Sequence, residues 1–391
     1  MSGRGKVRGS RKAASFTESV IREQTREALK HGAINLSQGY PDFPAPEEVK
    51  EAARQAIADD INQYPLTWGS ERFREAIAAK YRDLYGMTWV DPEKHVTVTC
   101  GSTEAMAASM LGILDPGDEV VVLMPYYENY GPDTIISGAV PHTVTLHPPD
   151  WVFDEAELRD AFNERTRGVV INTPNNPTGK VFSRAELAVV SELCQRWDAI
   201  VFTDEIYEHI TYDGHAHVPP GSVAGLEDRT VTISALSKTY AVTGWRVGWT
   251  VAPEVLTGAI RGMHDFLTVA APAPLQEAGA TALAMPPEFY SRTAEEYRER
   301  RDLMMKILEE TGFEATAPQG AYYVMAGCSH LGLGDDVAVA KHLVEDVGVA
   351  VVPGSSFFSE PSNGAHLVRF AFPKRLETLE AAGERLRTLA M

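Results

Sequence analysis

The stretch ISALSKTYAVTGWRVGW (233–249) places a lysine, Lys238, just past a β-prone run and an arginine, Arg246, eight residues later. A lysine at the end of a buried strand is costly. Pressed among other cations, it can lose its proton near neutral pH and act as nucleophile and base. Arg246 adds a permanent positive charge. Four further apolar runs end in residues able to do chemistry. HVTVTC (95–100) is followed by Gly101-Ser102-Thr103-Glu104. Backbone N–H groups and two hydroxyls at a helix start suit an anion such as phosphate, although the same sequence is a common helix cap. EVVVLMP (119–125) is followed by Tyr126-Tyr127, aromatic faces for stacking or for packing. RGVVINT (167–173) leads into Pro174-Asn175-Asn176-Pro177-Thr178-Gly179, a loop that aims an Asn side chain or is equally a rigid turn. AIVFT (199–203) ends in Asp204-Glu205-Ile206-Tyr207, and a carboxylate ending an apolar strand needs a partner.

The elements that must carry these residues alternate between strand and helix from about 45 to 285. Continuous apolar runs such as EVVVLMP are typical of strands buried on both faces. Between 167–174 and 199–205, Ser183 and Glu186 spell a capping box that opens a helix with Leu187, Val190, Leu193, Cys194 and Trp197 on one side. Val49, Ala52, Ala53, Ala56 and Ile57 form one earlier helical stripe, and Phe73, Ile77, Tyr81 and Leu84 another. The fold class expected is α/β: a large domain with a mostly parallel sheet covered by helices, plus a smaller α+β domain built from both chain ends. The large domain spans 45–286, the small one 26–44 and 287–391, and residues 1–25 are expected to be a flexible basic arm. A long helix after about 287, ending near Gly312 as its C-cap, bridges the two. In open parallel sheets ligands bind beyond the carboxyl ends of the strands, where the residues above lie.

The 391 residues carry a formal net charge of −18, which argues against nucleic acid as a partner. No run reaches the ~20 apolar residues of a membrane helix. Three scattered cysteines lack metal-ligand spacing and suit a reducing, cytoplasmic setting.

One small molecule uses all the strand-end groups together. Pyridoxal phosphate needs a lysine for its aldehyde, a carboxylate for its ring nitrogen, an arginine and N–H groups for its phosphate, and an aromatic stack for its ring. The chain also resembles the class I aminotransferases, the fold type I pyridoxal-phosphate enzymes. NLSQGYPDFPAP (35–46), NQYPLTWG (62–69), NTPNNPTGK (172–180), DEIY (204–207), SKTYAVTGWRVGW (237–249), PQGAYYV (318–324), VVPGSSF (351–357) and HLVRFAF (366–372) match in order. The wording is most similar to the kynurenine and glutamine transaminase branch and to bacterial methionine and aspartate enzymes.

The resemblance implies a transfer of an amino group from an L-amino acid to a 2-oxo acid, with ping-pong kinetics. Lys238 would anchor the cofactor covalently and Asp204 would face its ring nitrogen. Tyr207 and Asn176 would bond its ring oxygen, Tyr127 would stack on the ring, and Ser102, Thr103 and Arg246 would hold its phosphate. Tyr64 resembles a tyrosine that reaches a neighbouring subunit's phosphate, implying a homodimer with shared sites. Arg369, with Gly39 and Asn176 beside it, would take the substrate α-carboxylate. The family's motif has Gly or Ser where this chain has Ala235; Ser237 or Ser234 would then supply the missing hydroxyl. Tyr40, Tyr64, Trp68, Tyr126 and Tyr127 suggest an aromatic or apolar pocket, and no second arginine for a dicarboxylate stands out. A β-lyase acting on cysteine conjugates would share the same residues. A non-catalytic regulatory protein of the same fold is the rival from another class; a transcription factor of that kind would need a helix-turn-helix domain, for which the first ~30 residues are too short.

Overall fold

The computed structural model describes residues 9–14, 16 and 18–390. Its centre is an eight-stranded sheet in the spatial order Val96–Thr99, Gly248–Val251, Thr230–Ala235, Ile200–Asp204, Thr166–Asn172, Glu119–Met124, Val140–His147 and Val152–Phe153. The five strands from Thr230–Ala235 to Val140–His147 run parallel. The strands Val96–Thr99, Thr230–Ala235, Ile200–Asp204 and Glu119–Met124 are buried at every residue, as continuous apolar runs require when helices cover both faces.

Sheet register explains why distant motifs converge. Asn172 pairs with Asp204, and Asp204 with Ile233, so three strands end level. Gly248 pairs with both Thr99 and Ala235, which sets the loops carrying Ser102, Arg246 and Lys238 along one edge. The antiparallel strand Gly248–Val251, wedged between two of the expected strands, was not anticipated. Its GWTV lies directly behind the lysine motif, and alternation of only four residues carries no separate signal.

Several expectations hold in detail. Ser183 and Glu186 form the reciprocal capping box at the start of helix Arg184–Trp197. Val49, Ala53 and Ala56 are buried, as are Phe73, Ile77 and Tyr81. Ile57 and Leu84, expected on the same stripes, lie exposed at the stripe edges. The long helix spans Pro287–Glu310 and buries Phe289, Tyr297, Met304 and Leu308. Its C-cap is Thr311 rather than Gly312, which stands one residue further on at φ +80°.

Beyond that helix lies a four-stranded antiparallel sheet in the order Glu314–Ala315, Tyr323–Gly327, Leu367–Ala371 and Val352–Pro353. Ile34–Asn35 pairs in parallel with Val349–Ala350, so the N-terminal segment packs beside this sheet. The flexible arm expected over 1–25 needs correction where it is described. Helix Val20–His31 begins inside that range, with Ser19 Oγ accepting from the Arg22 N–H. Val20 and Ile21 pack against a core cluster, which supplies the apolar contact that orders the segment. Residues 1–8, 15 and 17 lie outside the described residues.

Candidate active site

The C-terminal ends of the central strands face a cavity of about 760 Å³. Eleven of the twelve residues singled out above line it: Gly39, Ser102, Thr103, Tyr127, Asn176, Asp204, Tyr207, Ser237, Lys238, Arg246 and Arg369. Tyr64 is the exception, 83% exposed on the surface of its own chain. Of the other aromatic candidates, Tyr40 lines the cavity while Tyr126 and Trp68 do not. The Trp68 ring instead packs beneath the Arg261 guanidinium, 4.9 Å away.

Lys238 reaches the cavity from the turn after Thr230–Ala235. Its Nζ donates to the Gly39 carbonyl at 2.9 Å and stands 5.9 and 5.7 Å from the Tyr207 and Tyr322 ring centres. Burial pulls its pKa down to about 8, against the attraction of Asp204 and with the help of Arg246, Arg369 and Lys374. A lysine in that state has a substantial neutral fraction near neutral pH, as a nucleophile or base needs.

Asp204 ends its strand almost wholly buried. Burial pushes its carboxyl up to about 6, while the Tyr130 hydroxyl (2.8 Å), the Ile206 N–H (3.2 Å) and the Lys238 charge favour ionisation. The Tyr207 hydroxyl shares a 3.0 Å hydrogen bond with the Tyr323 hydroxyl. Gly39 is required where it is: a Cβ there would collide with the Tyr322 and Tyr323 rings. Lys374 holds the same loop by donating to the Tyr40 carbonyl at 2.9 Å.

The anion end of the cavity is built from the helix Ser102–Ile113. Its N-cap is Gly101 at φ +85°, which offers no side-chain oxygen to the first helical N–H groups. A Cβ on Gly101 would strike the Arg246 guanidinium, so glycine is what lets the arginine lie against this helix start. Arg246 has no carboxylate within ion-pair distance among the described residues, and its Nη1 donates only to the Thr243 carbonyl at 3.1 Å.

At the opposite wall Arg369 is fully buried. It donates to Asn176 Oδ1 at 2.9 Å and to the Ser37 carbonyl, and lies 4.3 Å from the Tyr323 ring centre. Its Nε has no partner, and no carboxylate pairs with it among the described residues. A buried guanidinium left in this condition is costly, and it matches an anionic ligand.

These features fit pyridoxal phosphate. An amine with a lowered pKa and a buried carboxylate face one space, an uncapped helix start with an unpaired arginine closes one end, and a second unpaired guanidinium closes the other.

Ala235 and its serine neighbours divide cleanly. The Ala235 side chain lies in the apolar cluster with Leu36 and Ile206 and does not line the cavity. Ser234 is committed to a buried carboxylate, donating to Glu208 Oε1 at 2.9 Å, so it does not replace the missing hydroxyl. Ser237 lines the cavity and remains the one candidate for that part.

Sequence reasoning missed Tyr130, Tyr323, Asn172 and Arg22, all of which line the cavity. Tyr130 stands one turn past Tyr127, and that spacing was the available signal. Arg22 is a third arginine on the cavity wall, beside the expected Arg246 and Arg369, although no further arginine for a dicarboxylate stands out in the sequence.

A lysine and carboxylate set at the switch edge of this sheet, between two anion seats, define a fold type I pyridoxal-phosphate enzyme. The family described as aminotransferase class I and II matches residues 31–385, and the chain belongs to it. The solved structure of N-succinyldiaminopimelate aminotransferase from Mycobacterium tuberculosis superposes with a TM-score of 0.95 at 39% identity, covering 98% of this chain and 100% of that one. The methionine aminotransferase of Escherichia coli (strain K12) is 36% identical over 95% of this chain and 96% of its own. Human kynurenine–oxoglutarate transaminase 1 is 34% identical over 93% and 94% respectively. The chain is therefore a pyridoxal-phosphate-dependent aminotransferase, acting on amino acids and 2-oxo acids.

Proposed function

We propose that this aminotransferase takes an apolar or aromatic L-amino acid as donor and works as a homodimer, with Lys238 and Asp204 at its chemical centre. The observation that carries the assignment of roles is that Lys238 and Asp204 face one cavity whose two ends each hold an arginine without a carboxylate partner. When bound, pyridoxal phosphate supplies an aldehyde that takes up the substrate's amino group and a ring that draws electrons from the substrate's Cα.

This chain's residues do the rest. Lys238 would anchor the cofactor covalently, and its neutral Nζ would take the proton from the substrate's Cα and later return one. Asp204 keeps a proton on the cofactor's ring nitrogen, held in place by Tyr130 and the Ile206 N–H. Tyr207 and Asn176 would hold the ring oxygen, and Tyr127 would cover the ring. Ser102, Thr103, Ser237 and Arg246 seat the phosphate. Arg369 would fork onto the substrate α-carboxylate beside Gly39, whose missing side chain makes room for the Tyr322 and Tyr323 rings.

Arg369→Lys should raise KM for every amino donor by roughly ten- to a hundredfold, because a point charge replaces a planar fork. Steady-state kinetics checks this, and an unchanged KM would remove Arg369 from the substrate site.

The apolar donor class is supported by Ile21, Tyr40, Tyr127 and Leu267 along the cavity, and by relatives named for methionine and kynurenine. A panel of donors and acceptors tests it: apolar or aromatic donors should lead in kcat/KM with parallel-line, ping-pong kinetics. Release of ammonia without an acceptor would favour β-elimination instead.

The dimer reading rests on Tyr64, whose exposed ring has no role in its own cavity. A chain that sediments as a monomer at micromolar concentration would contradict it. Cytoplasmic residence and a place in amino-acid metabolism rest on the three unpaired cysteines and the reaction class. Recovery in an exported fraction would count against the first.

A further inference from the structure

His264 lies on the helix Glu254–Leu267, fully buried, next to the anion end of the cavity but outside its lining. Its Nε2 is 2.7 Å from the Thr67 carbonyl oxygen, an atom that can only accept, so Nε2 carries a proton. Its Nδ1 is 2.6 Å from Glu104 Oε1. Glu104 receives two more donors, the Thr268 hydroxyl at 2.8 Å and the Cys100 backbone N–H. A carboxylate accepts from its neighbours and does not donate, so Nδ1 carries a proton as well. With both ring nitrogens donating, the ring is an imidazolium. Burial alone would pull the His264 pKa down. The Glu104 hydrogen bond and charge, the Thr67 carbonyl and Asp265 outweigh that and hold it above the ordinary value.

Glu104 is the unexpected residue at this end. It sits in the first turn of the helix that offers Ser102 and Thr103, and it lines the same cavity as Arg246. A carboxylate there repels a phosphate unless something cancels it. We propose that His264 is a positioning residue for the cofactor phosphate: its imidazolium cancels the Glu104 charge and ties the loop that carries Tyr64 to the phosphate seat. The tie is direct, since Thr67 lies three residues from Tyr64. The same loop is pinned by Arg261 over Trp68 and by the Ser70 N–H donating to Gln276. The inference rests on the phosphate occupying this end of the cavity.

The charged and titratable groups facing the pair are few. Asp265 acts from the histidine's own helix, and the Cys100 thiol lies within the fields of Glu104 and Arg246. As pH rises through the raised His264 value, one proton leaves, the Glu104 charge is uncovered and phosphate affinity falls.

The test is the dissociation constant of pyridoxamine 5′-phosphate, an amine that forms no bond with Lys238. It is measured between about pH 6 and 9, the range a raised histidine spans, on the parent, H264Q, E104Q and the double variant. The phosphate's own second ionisation and the titration of Lys238 are common to all four chains, so differences between them isolate the pair. H264Q should bind roughly ten- to thirtyfold more weakly, the effect of one uncompensated charge a few ångströms from an anion. E104Q should bind at least as tightly as the parent, without its decline at high pH. The double variant should return to within about threefold of the parent. A loss in H264Q that persists in the double variant would show a merely structural histidine and overturn the proposal. So would an E104Q profile parallel to the parent's, which decides the matter even where H264Q fails to fold. A parent that does not bind pyridoxamine phosphate at all overturns the phosphate seat itself and this inference with it.

Discussion

Lys238→Ala should abolish transamination while leaving a folded protein. The substitution removes both the covalent anchor and the base. A positioned acid–base group alone is worth up to about 10⁴-fold, so turnover should fall by at least that order. The fold should tolerate the change. The side chain makes one hydrogen bond, to the Gly39 carbonyl, and the loss of one such bond costs about 1 kcal/mol. In a chain of this size that lowers Tm by roughly 1 °C. Removing a cation also relieves its repulsion with Arg246, Arg369 and Lys374. Turnover measured beside a thermal melt separates the two effects. Near-normal turnover would sink the assignment, and a collapsed melt would mean that the lysine is structural.

Asp204→Asn is the second large effect, and its form matters more than its size. Asparagine keeps the shape and can still accept from Tyr130 or from the Ile206 N–H. It cannot bear the negative charge that keeps a proton on a ring nitrogen. Loss of a preorganised electrostatic partner in a dry site costs on the order of 10²–10³-fold in kcat. Cofactor affinity, shared among the phosphate seat, the stacking ring and the lysine, should fall by less than about tenfold, a difference of roughly 1.4 kcal/mol. The parent's cofactor-free carboxyl, pushed up to about 6 by burial, should return toward the ordinary range once a cationic ring nitrogen faces it. Equal losses in kcat and in cofactor affinity would argue that Asp204 only binds.

Most of this site was legible in the sequence because apolar runs mark doubly buried strands, and the residue after each such run sits at the ligand edge. That logic reached Asp204, Lys238, Asn176 and Tyr127. Arg369, Gly39 and Tyr64 came instead from the family's motifs, since nothing local to HLVRFAF announces a buried guanidinium. What stayed illegible was tertiary. Tyr130 meets Asp204 across 74 residues, and Arg369 meets Asn176 across 193. No period or spacing encodes either contact. Likewise Ser19, Ile21 and Arg22 were assigned to a flexible arm because basic composition hid an ordinary capped helix start. The puzzle of Ala235 came from reading position without direction: the side chain points into the apolar cluster, where a methyl belongs.

The most direct test of the central claim is borohydride reduction of the pyridoxal-phosphate-loaded protein, followed by proteolysis and mapping of the fixed cofactor. The account predicts one labelled residue, Lys238, with Lys374, whose charge acts on it, unmodified. Label on another lysine, or protein that retains no label after reduction, would contradict it.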